Sequence, residues 1–285
     1  VVKIAQLCEY YGVPLVEDIS QSIGASFNGK LLGTFGVASI YSGSLTKYID
    51  AYNGAFALAV DSSLAESLRL FSATHLAPPS ASRIQQIILK TSFWNISLSR
   101  FCFTLLVLPL LRLLKYFSPS YFESLLGPSI KPLSALQLPQ YWFEDITHIQ
   151  CKKINYYLAQ LPLLLESRAR CAYLAASAYH NVLGTPFEYL PSSVSRFNWW
   201  QFVLHVTDVR LARNLLFRHG IETGTTNLPN LSLGTDYHLT NADRLQKERL
   251  FLPLHPWLSL HDYEFIFNLL LSHSLISHRI KDQHQ

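Results

Sequence analysis

Apolar and polar positions alternate between helical and strand spacing from the first residue onward. Residues 1–11 read as a helix, and Gly12 stands where such a helix ends. Pro14-Leu15-Val16-Glu17-Asp18 is a short apolar run closed by two acids, the pattern of a buried strand with a polar C-terminal end. Gly24, Gly29, Gly33 and Gly36 follow among small and polar residues and mark turns. Strands are expected at 37–42 and 55–61, then a helix over 62–70 with Ser62 or Ser63 as its cap. Helix and strand alternating in this way predict an α/β domain with a mixed, mainly parallel sheet.

Further on, the periodicity predicts a long helix over 149–183, a strand over 199–206 and a helix over 208–219 closed by Gly220. A strand at 250–254 precedes a last amphipathic helix over 259–271 with Ser259 as cap. The expected organisation is a first domain at 1–72, an apolar and basic helical insertion at 73–135, and a small α+β domain at 136–285.

Composition narrows the class. Hydrophobic residues make up 49% of the 285-residue chain and charged residues only 15%. That excludes an intrinsically disordered chain. A net charge of +4 is too mild to argue for nucleic acid. Cys8, Cys102, Cys151 and Cys171 lie far apart with no C-x-x-C pair. They fit a reducing compartment better than a disulfide framework or a zinc ribbon. With no secretory leader visible, the expected location is cytoplasmic.

Candidate chemistry gathers near the chain start. Asp18 stands at the end of one expected strand, and Lys47 follows the next after a short polar link. Strand ends of this kind face the crevice where α/β sheets bind ligands. An acid and a lysine so placed suit pyridoxal phosphate. The amine bonds the cofactor aldehyde, and the carboxylate keeps the ring nitrogen protonated. Ser42 and glycine-rich backbone could serve the phosphate. On spacing alone, an ordinary strand-end acid and a surface lysine remain an open alternative.

The segment Glu17-Asp18-Ile19-Ser20-Gln21-Ser22-Ile23-Gly24-Ala25, with Gly29, Gly33 and Gly36 beyond it, resembles the E-D-x-A-Q-x-x-G-A signature of the DegT/DnrJ/EryC1/StrS family. Tyr41-Ser42-Gly43-Ser44-Leu45-Thr46-Lys47 resembles that family's F-S-x-x-x-x-K. Gly220-Ile221-Glu222-Thr223 and Leu250-Phe251-Leu252-Pro253-Leu254-His255-Pro256 are similar to its later segments. The resemblance implies a fold-type I, pyridoxal 5'-phosphate-dependent aminotransferase. Such an enzyme takes an amino group from a glutamate-like donor to a nucleotide-linked keto sugar, as in cell-surface polysaccharide synthesis. It implies Lys47 as the cofactor-bonding lysine and proton shuttle, Asp18 at the pyridinium nitrogen, Gln21 beside the phenolic oxygen and Ser42 at the phosphate. It also implies a homodimer and a further stretch ahead of Val1. The family's G-E-G-G stands here as Tyr52-Asn53-Gly54-Ala55, and its N-Y-R segment, which would fall near Ile146-Thr147-His148, has no counterpart. Two other readings stay open: a dehydratase of the same superfamily, which Lys47 disfavours, and a non-catalytic remnant or partner subunit.

Between Glu66 and Glu123 there is no acidic residue, while Arg69, Arg83, Lys90, Arg100, Arg112 and Lys115 are basic. The uncharged run 101–111 is too short for the ~20 residues of a spanning helix. Residues 83–118 are therefore expected either to lie on a membrane surface, at the inner face, or to pack as a helical hairpin on protein.

Overall fold

The computed structural model describes residues 1–45, 47–126, 140–225 and 240–276. Thr46 of the lysine-bearing segment, residues 127–135 of the apolar stretch and the histidine-bearing tail from 277 lie outside the described residues. The chain divides into two compact units. One comprises Val1–Asn95, Ala135–Ala169 and Pro191–Trp200; the other comprises Ile96–Ser134, Arg170–Leu190 and Gln201–Gln285. The stretch 73–135 contributes to both.

In the first unit, α1 (Val2–Tyr10) ends at Tyr11, and Gly12 follows with φ +65°. Then come β1 (Val16–Asp18), β2 (Ser26–Phe27), β3 (Lys30–Leu31), β4 (Ala38–Gly43), β5 (Gly54–Ala59), α2 (Ser62–His75) and α3 (Ala81–Ser97). β1 pairs parallel to β4, with Asp18 opposite Ile40. β4 pairs antiparallel to β5, from Ala38 opposite Ala59 to Gly43 opposite Gly54. The sheet is therefore mixed, in the order β1-β4-β5.

Strand alternation gives this sheet two unlike faces. Ser39, Tyr41 and Gly43 are buried, while Ile40 and Ser42 are exposed. The buried face joins a core of Ile19, Ile23, Tyr41, Tyr48, Ile49, Ile154 and Leu165. Ile154 and Leu165 come from α7 (His148–Leu183), which follows the short helices of the insertion. α7 runs through Pro162 and covers nearly the span its periodicity predicts. A second small sheet in this unit pairs β2 with β3 and with β6 (Ser195–Arg196).

The cap of α2 differs from the expected Ser62 or Ser63. Asp61 accepts the Leu64 backbone N–H at 3.3 Å and also the Ser63 hydroxyl. A carboxylate one residue upstream makes the stronger acceptor for the free N–H groups of a first turn.

The second unit opens with a broken helix: α4 (Arg100–Cys102), a π turn at Phe103–Val107, and α5 (Leu108–Phe117), followed by α6 (Pro119–Leu126). Pro109 lacks a backbone N–H, and the wider π turn before it lets Leu108 N–H bond back to Phe103 so that the helix continues. Its sheet has the order β7-β9-β8, from β7 (Phe202–His205), β8 (Gly224–Thr225) and β9 (Arg249–Leu252). Three helices complete the unit: α8 (Val209–Arg218), α9 (Thr240–Glu248) and α10 (Leu260–Ser272). The expected strand 199–206 starts only at Phe202, because Trp199 takes φ +56° and leaves the extended region. Ser259 caps α10 through a reciprocal pair with Asp262, as expected from the sequence.

Candidate active site

Asp18 ends β1 on the exposed face of the mixed sheet, beside Ile40 and in line with Ala57. The Ser20 backbone N–H donates to its carboxylate at 2.9 Å. The Ser20 hydroxyl and backbone together hold Asp18 below the usual carboxylate range, and the charge of Lys47 adds to the same effect. Asp18 is thus kept ionised. The Ser20 hydroxyl also accepts the backbone N–H of Ser42 at 3.0 Å, tying the end of β1 to β4. Ser42 lies on the same exposed face.

Lys47 follows a turn in which its N–H bonds the Ser44 carbonyl at 3.0 Å. Burial lowers the pKa of its amine, while the Asp18 charge pulls the other way. Its ammonium lies 4.8 Å from the ring centroid of Trp200. The residues after Lys47 are clamped into the core. Ile49 N–H donates to the Tyr41 hydroxyl at 2.8 Å. The Tyr48 hydroxyl donates to the Asn198 carbonyl, and burial pushes that phenol up to about 12. Asp50 pairs with Lys153 of α7 at 3.1 Å, and both side chains are largely buried.

The loop returns to the sheet through a close approach at Gly43. A Cβ there would strike the Gly54 carbonyl oxygen and meet the Ala51 Cβ at 2.7 Å. Tyr52 and Asn53 both take positive φ before Gly54 opens β5, so this turn follows a left-handed path without glycine at either position.

The geometry therefore joins Asp18 and Lys47 electrostatically, and joins Asp18 and Ser42 through Ser20. Gln21 is exposed on the turn after β1, and its carbonyl accepts the Asn198 side-chain amide at 2.7 Å. Ile146, Thr147 and His148 are put to another use. Thr147 and Gln150 exchange hydrogen bonds at the start of α7, and Ile146 packs on the core.

Sequence reasoning missed Ser20, Trp200 and Glu17 as parts of this corner. Glu17 accepts the backbone N–H groups of Gly33, Phe35 and Gly36 at 2.6–2.9 Å and so shapes the turn between β3 and β4. Its place beside Asp18 in an acidic pair was a signal. Trp200 carried none, because it reaches the site from 153 positions along the chain.

This donor set fits pyridoxal phosphate. An ionised carboxylate suits a pyridinium nitrogen, an amine of lowered pKa suits an aldehyde carbon, and an exposed hydroxyl suits a phosphate oxygen. Among the described residues, no group of three His, Cys, Asp or Glu could hold a metal ion.

The fold is shared with part of several solved aminotransferase structures. An aminotransferase of the DegT/DnrJ/EryC1/StrS type from Brucella abortus superposes over 95% of this chain and 60% of its own, with TM-score 0.62 and 20% identity. The Helicobacter pylori aminotransferase PseC does so over 95% and 62%, with TM-score 0.59 and 15% identity. Residues 1–96 match the model of the DegT/DnrJ/EryC1/StrS aminotransferase family, to which that stretch is similar. Two curated relatives are similar over shorter stretches. One, from Bacillus subtilis and carrying the name pyridoxal phosphate-dependent aminotransferase EpsN, is 34% identical over 76 residues. The other, a pleiotropic regulatory protein from Geobacillus stearothermophilus, is 40% identical over 68. These matches span 27% and 24% of this chain, and 20% and 18% of the relatives.

Proposed function

We propose that this protein is a pyridoxal-phosphate-dependent aminotransferase that moves an amino group from a glutamate-like donor to a nucleotide-linked keto sugar. The observation that carries this reading is that Asp18, at the end of β1, and Lys47, in the loop after β4, lie near enough for each to feel the other's charge. The family match over residues 1–96 supports the amino transfer; the keto-sugar substrate and a role in cell-surface polysaccharide synthesis are part of the proposal itself. A homodimer and a cytoplasmic location belong to the same proposal.

When bound, the cofactor supplies an electron-withdrawing pyridinium ring that stabilises negative charge at the donor's α-carbon. The chain's residues do the rest. Asp18, held ionised by Ser20, keeps a proton on the ring nitrogen. Lys47 would hold the aldehyde carbon covalently. Its amine, when free, would be the group that takes up and returns a proton beside the donor's α-carbon. Burial favours this, because an amine of lowered pKa is neutral, and so basic, for more of the time. Ser42 would bind a phosphate oxygen through its hydroxyl, since its backbone N–H is already committed to Ser20.

The test is chemical. The purified chain, mixed with pyridoxal phosphate and reduced with borohydride, should carry the label on Lys47 in peptide mapping. In a separate, unreduced sample, glutamate should support amination of a nucleotide-linked keto sugar, read by mass spectrometry. A chain that stays unlabelled overturns the proposal.

A further inference from the structure

The broken helix from Arg100 to Phe117 has two faces, and only one of them is spent on the fold. On the inner face Leu108 is buried with Phe122 and Phe217, and Phe103, Leu111 and Leu114 pack against that cluster. The Arg112 guanidinium donates to the Arg218 carbonyl at 2.8 Å, and the Lys115 ammonium donates to the Asn214 side chain at 2.6 Å. The C-terminal part of the segment is thus fastened to α8. On the outer face Phe101, Leu105, Leu106, Leu110, Leu113 and Phe117 recur at steps of three and four, with one adjacent pair. All six are 55–79% exposed. The adjacent pair, Leu105 and Leu106, falls inside the π turn, which broadens the outward stripe.

A stripe of six large apolar side chains on a helix already fastened to its own unit is unlike ordinary surface. None of the six can make a side-chain hydrogen bond. A protein partner of stable kind would meet a face carrying about one hydrogen bond per 100–200 Å². The charge around the stripe has one sign along the chain. From Arg69 to Lys115 every formally charged residue is basic, and Arg100 and Arg112 are exposed beside the stripe. Asp262 of α10 lies close enough to Arg100 to feel its charge, so Arg112 is the less compensated of the two. Among the described residues, no single helix is long and apolar enough to cross a membrane. α3 and the Arg100–Phe117 segment reach that length and composition only together, and they are broken at residues 98–99. Because Phe103, Leu108, Leu111 and Leu114 already face protein, lipid cannot surround this helix.

We propose that the outer face of residues 101–117 is a monotopic membrane-docking surface. It lies flat in the headgroup region of a bilayer containing anionic lipid, with its six apolar side chains in the acyl boundary. Arg112 and Arg100 sit at headgroup level, where each cation that reaches an anionic surface strengthens binding roughly fivefold. The proposal does not depend on the aminotransferase reading.

The full chain is to be floated with vesicles of phosphatidylcholine alone and of phosphatidylcholine mixed with phosphatidylglycerol. Co-flotation is expected with the mixed vesicles and several-fold less with the neutral ones. The triple variant Phe101→Ser, Leu106→Ser, Leu110→Ser should lose at least roughly tenfold of the bound fraction, with an unchanged circular dichroism spectrum. A control triple on α2, Leu68→Ser, Leu70→Ser, Phe71→Ser, removes exposed apolar surface elsewhere and should float as the parent does. Absence of flotation with either vesicle overturns the proposal. So does equal binding of the neutral and anionic vesicles, or of the stripe variant and the parent. A stripe variant that instead halves the sedimenting mass, with no vesicle bound by either protein, shows the face to be an interface between copies and also overturns it.

Discussion

Ser20 reaches Asp18 through its backbone N–H at 2.9 Å and through its hydroxyl, and this pair fixes the charge on the acid that the proposed chemistry needs. The arrangement is local. The chain turns immediately after β1, so the residue two positions on folds back over the carboxylate. The same hydroxyl accepts Ser42 N–H, so one side chain sets both the acid and the strand beside it.

Ser20→Ala should therefore change a pH profile rather than abolish activity. Without the hydroxyl, the Asp18 pKa rises toward its ordinary value of 3.8. A depressed carboxylate pKa contributes stability that is present above the ordinary value and lost as pH falls through the folded one. The acid limb of kcat, and of thermal stability, should move to higher pH in the variant. Ser20→Thr, which keeps the hydroxyl, should restore the limb. Loss of the bond to Ser42 should also lower stability by about 1 kcal/mol.

Lys47 and Asp18 should fail differently. Lys47→Ala removes both the attachment point and the proton carrier, so borohydride labelling disappears and amino transfer falls by about 100-fold to 10,000-fold. Asp18→Asn leaves the amine in place, so labelling at Lys47 persists. Transfer nevertheless drops, because a neutral amide no longer holds the ring nitrogen protonated. Absorbance spectra and single-turnover kinetics on the two variants separate these roles. Equal labelling and equal rates in Asp18→Asn and the parent would remove Asp18 from the mechanism.

Glu17 is a structural acid beside a chemical one. It gathers the N–H groups of Gly33, Phe35 and Gly36, which the tight turn leaves without other partners on their own strand. Glu17→Ala leaves three partly buried donors to find water and should cost about 2–4 kcal/mol in urea unfolding. Glu17→Gln keeps one acceptor oxygen and should fall between the variant and the parent. If Glu17→Ala unfolds at the parent's urea midpoint, the turn does not depend on this side chain.

How much of this was legible in the sequence follows from how far each signal had to travel. β1, β4, β5, α7 and α10 are marked by their own periodicity and caps, and they stand within one to three residues of the expected bounds at most ends. The place of Asp18 at the end of β1, and of Lys47 in the loop after β4, was legible from the strand pattern. The sheet of β2, β3 and β6 was not legible. Its strands are two residues long, and Ser26 pairs with Arg196 across the chain, with no local pattern to announce it. Trp200 and Asn198 were hidden for the same reason: each reaches the lysine loop through a contact that exists only after folding. The π turn was hidden because Pro109 reads as a helix breaker, whereas the wider turn ahead of it spares the bond that proline cannot make.

His205 gives the second unit a pH dependence of its own. It lies on β7, with its ring stacked near Tyr189 and its Nδ1 3.9 Å from a Glu248 carboxylate oxygen. Burial lowers its pKa from the ordinary 6.5. Arg249 and Arg244 push the same way, and Glu248 and Glu188 oppose them. Between the folded and unfolded values the unfolded chain binds more protons. Stability from this residue is therefore complete above pH 6.5 and is lost as pH falls through the folded value. His205→Gln cannot take up that proton, so its thermal midpoint should fall less than the parent's as the buffer is taken below pH 6.5. Scanning calorimetry across that range is the measurement. Parallel curves for the two proteins would mean that the folded chain accepts the proton as readily as the unfolded one. The Glu248 and Glu188 carboxylates would then balance burial and the two arginines.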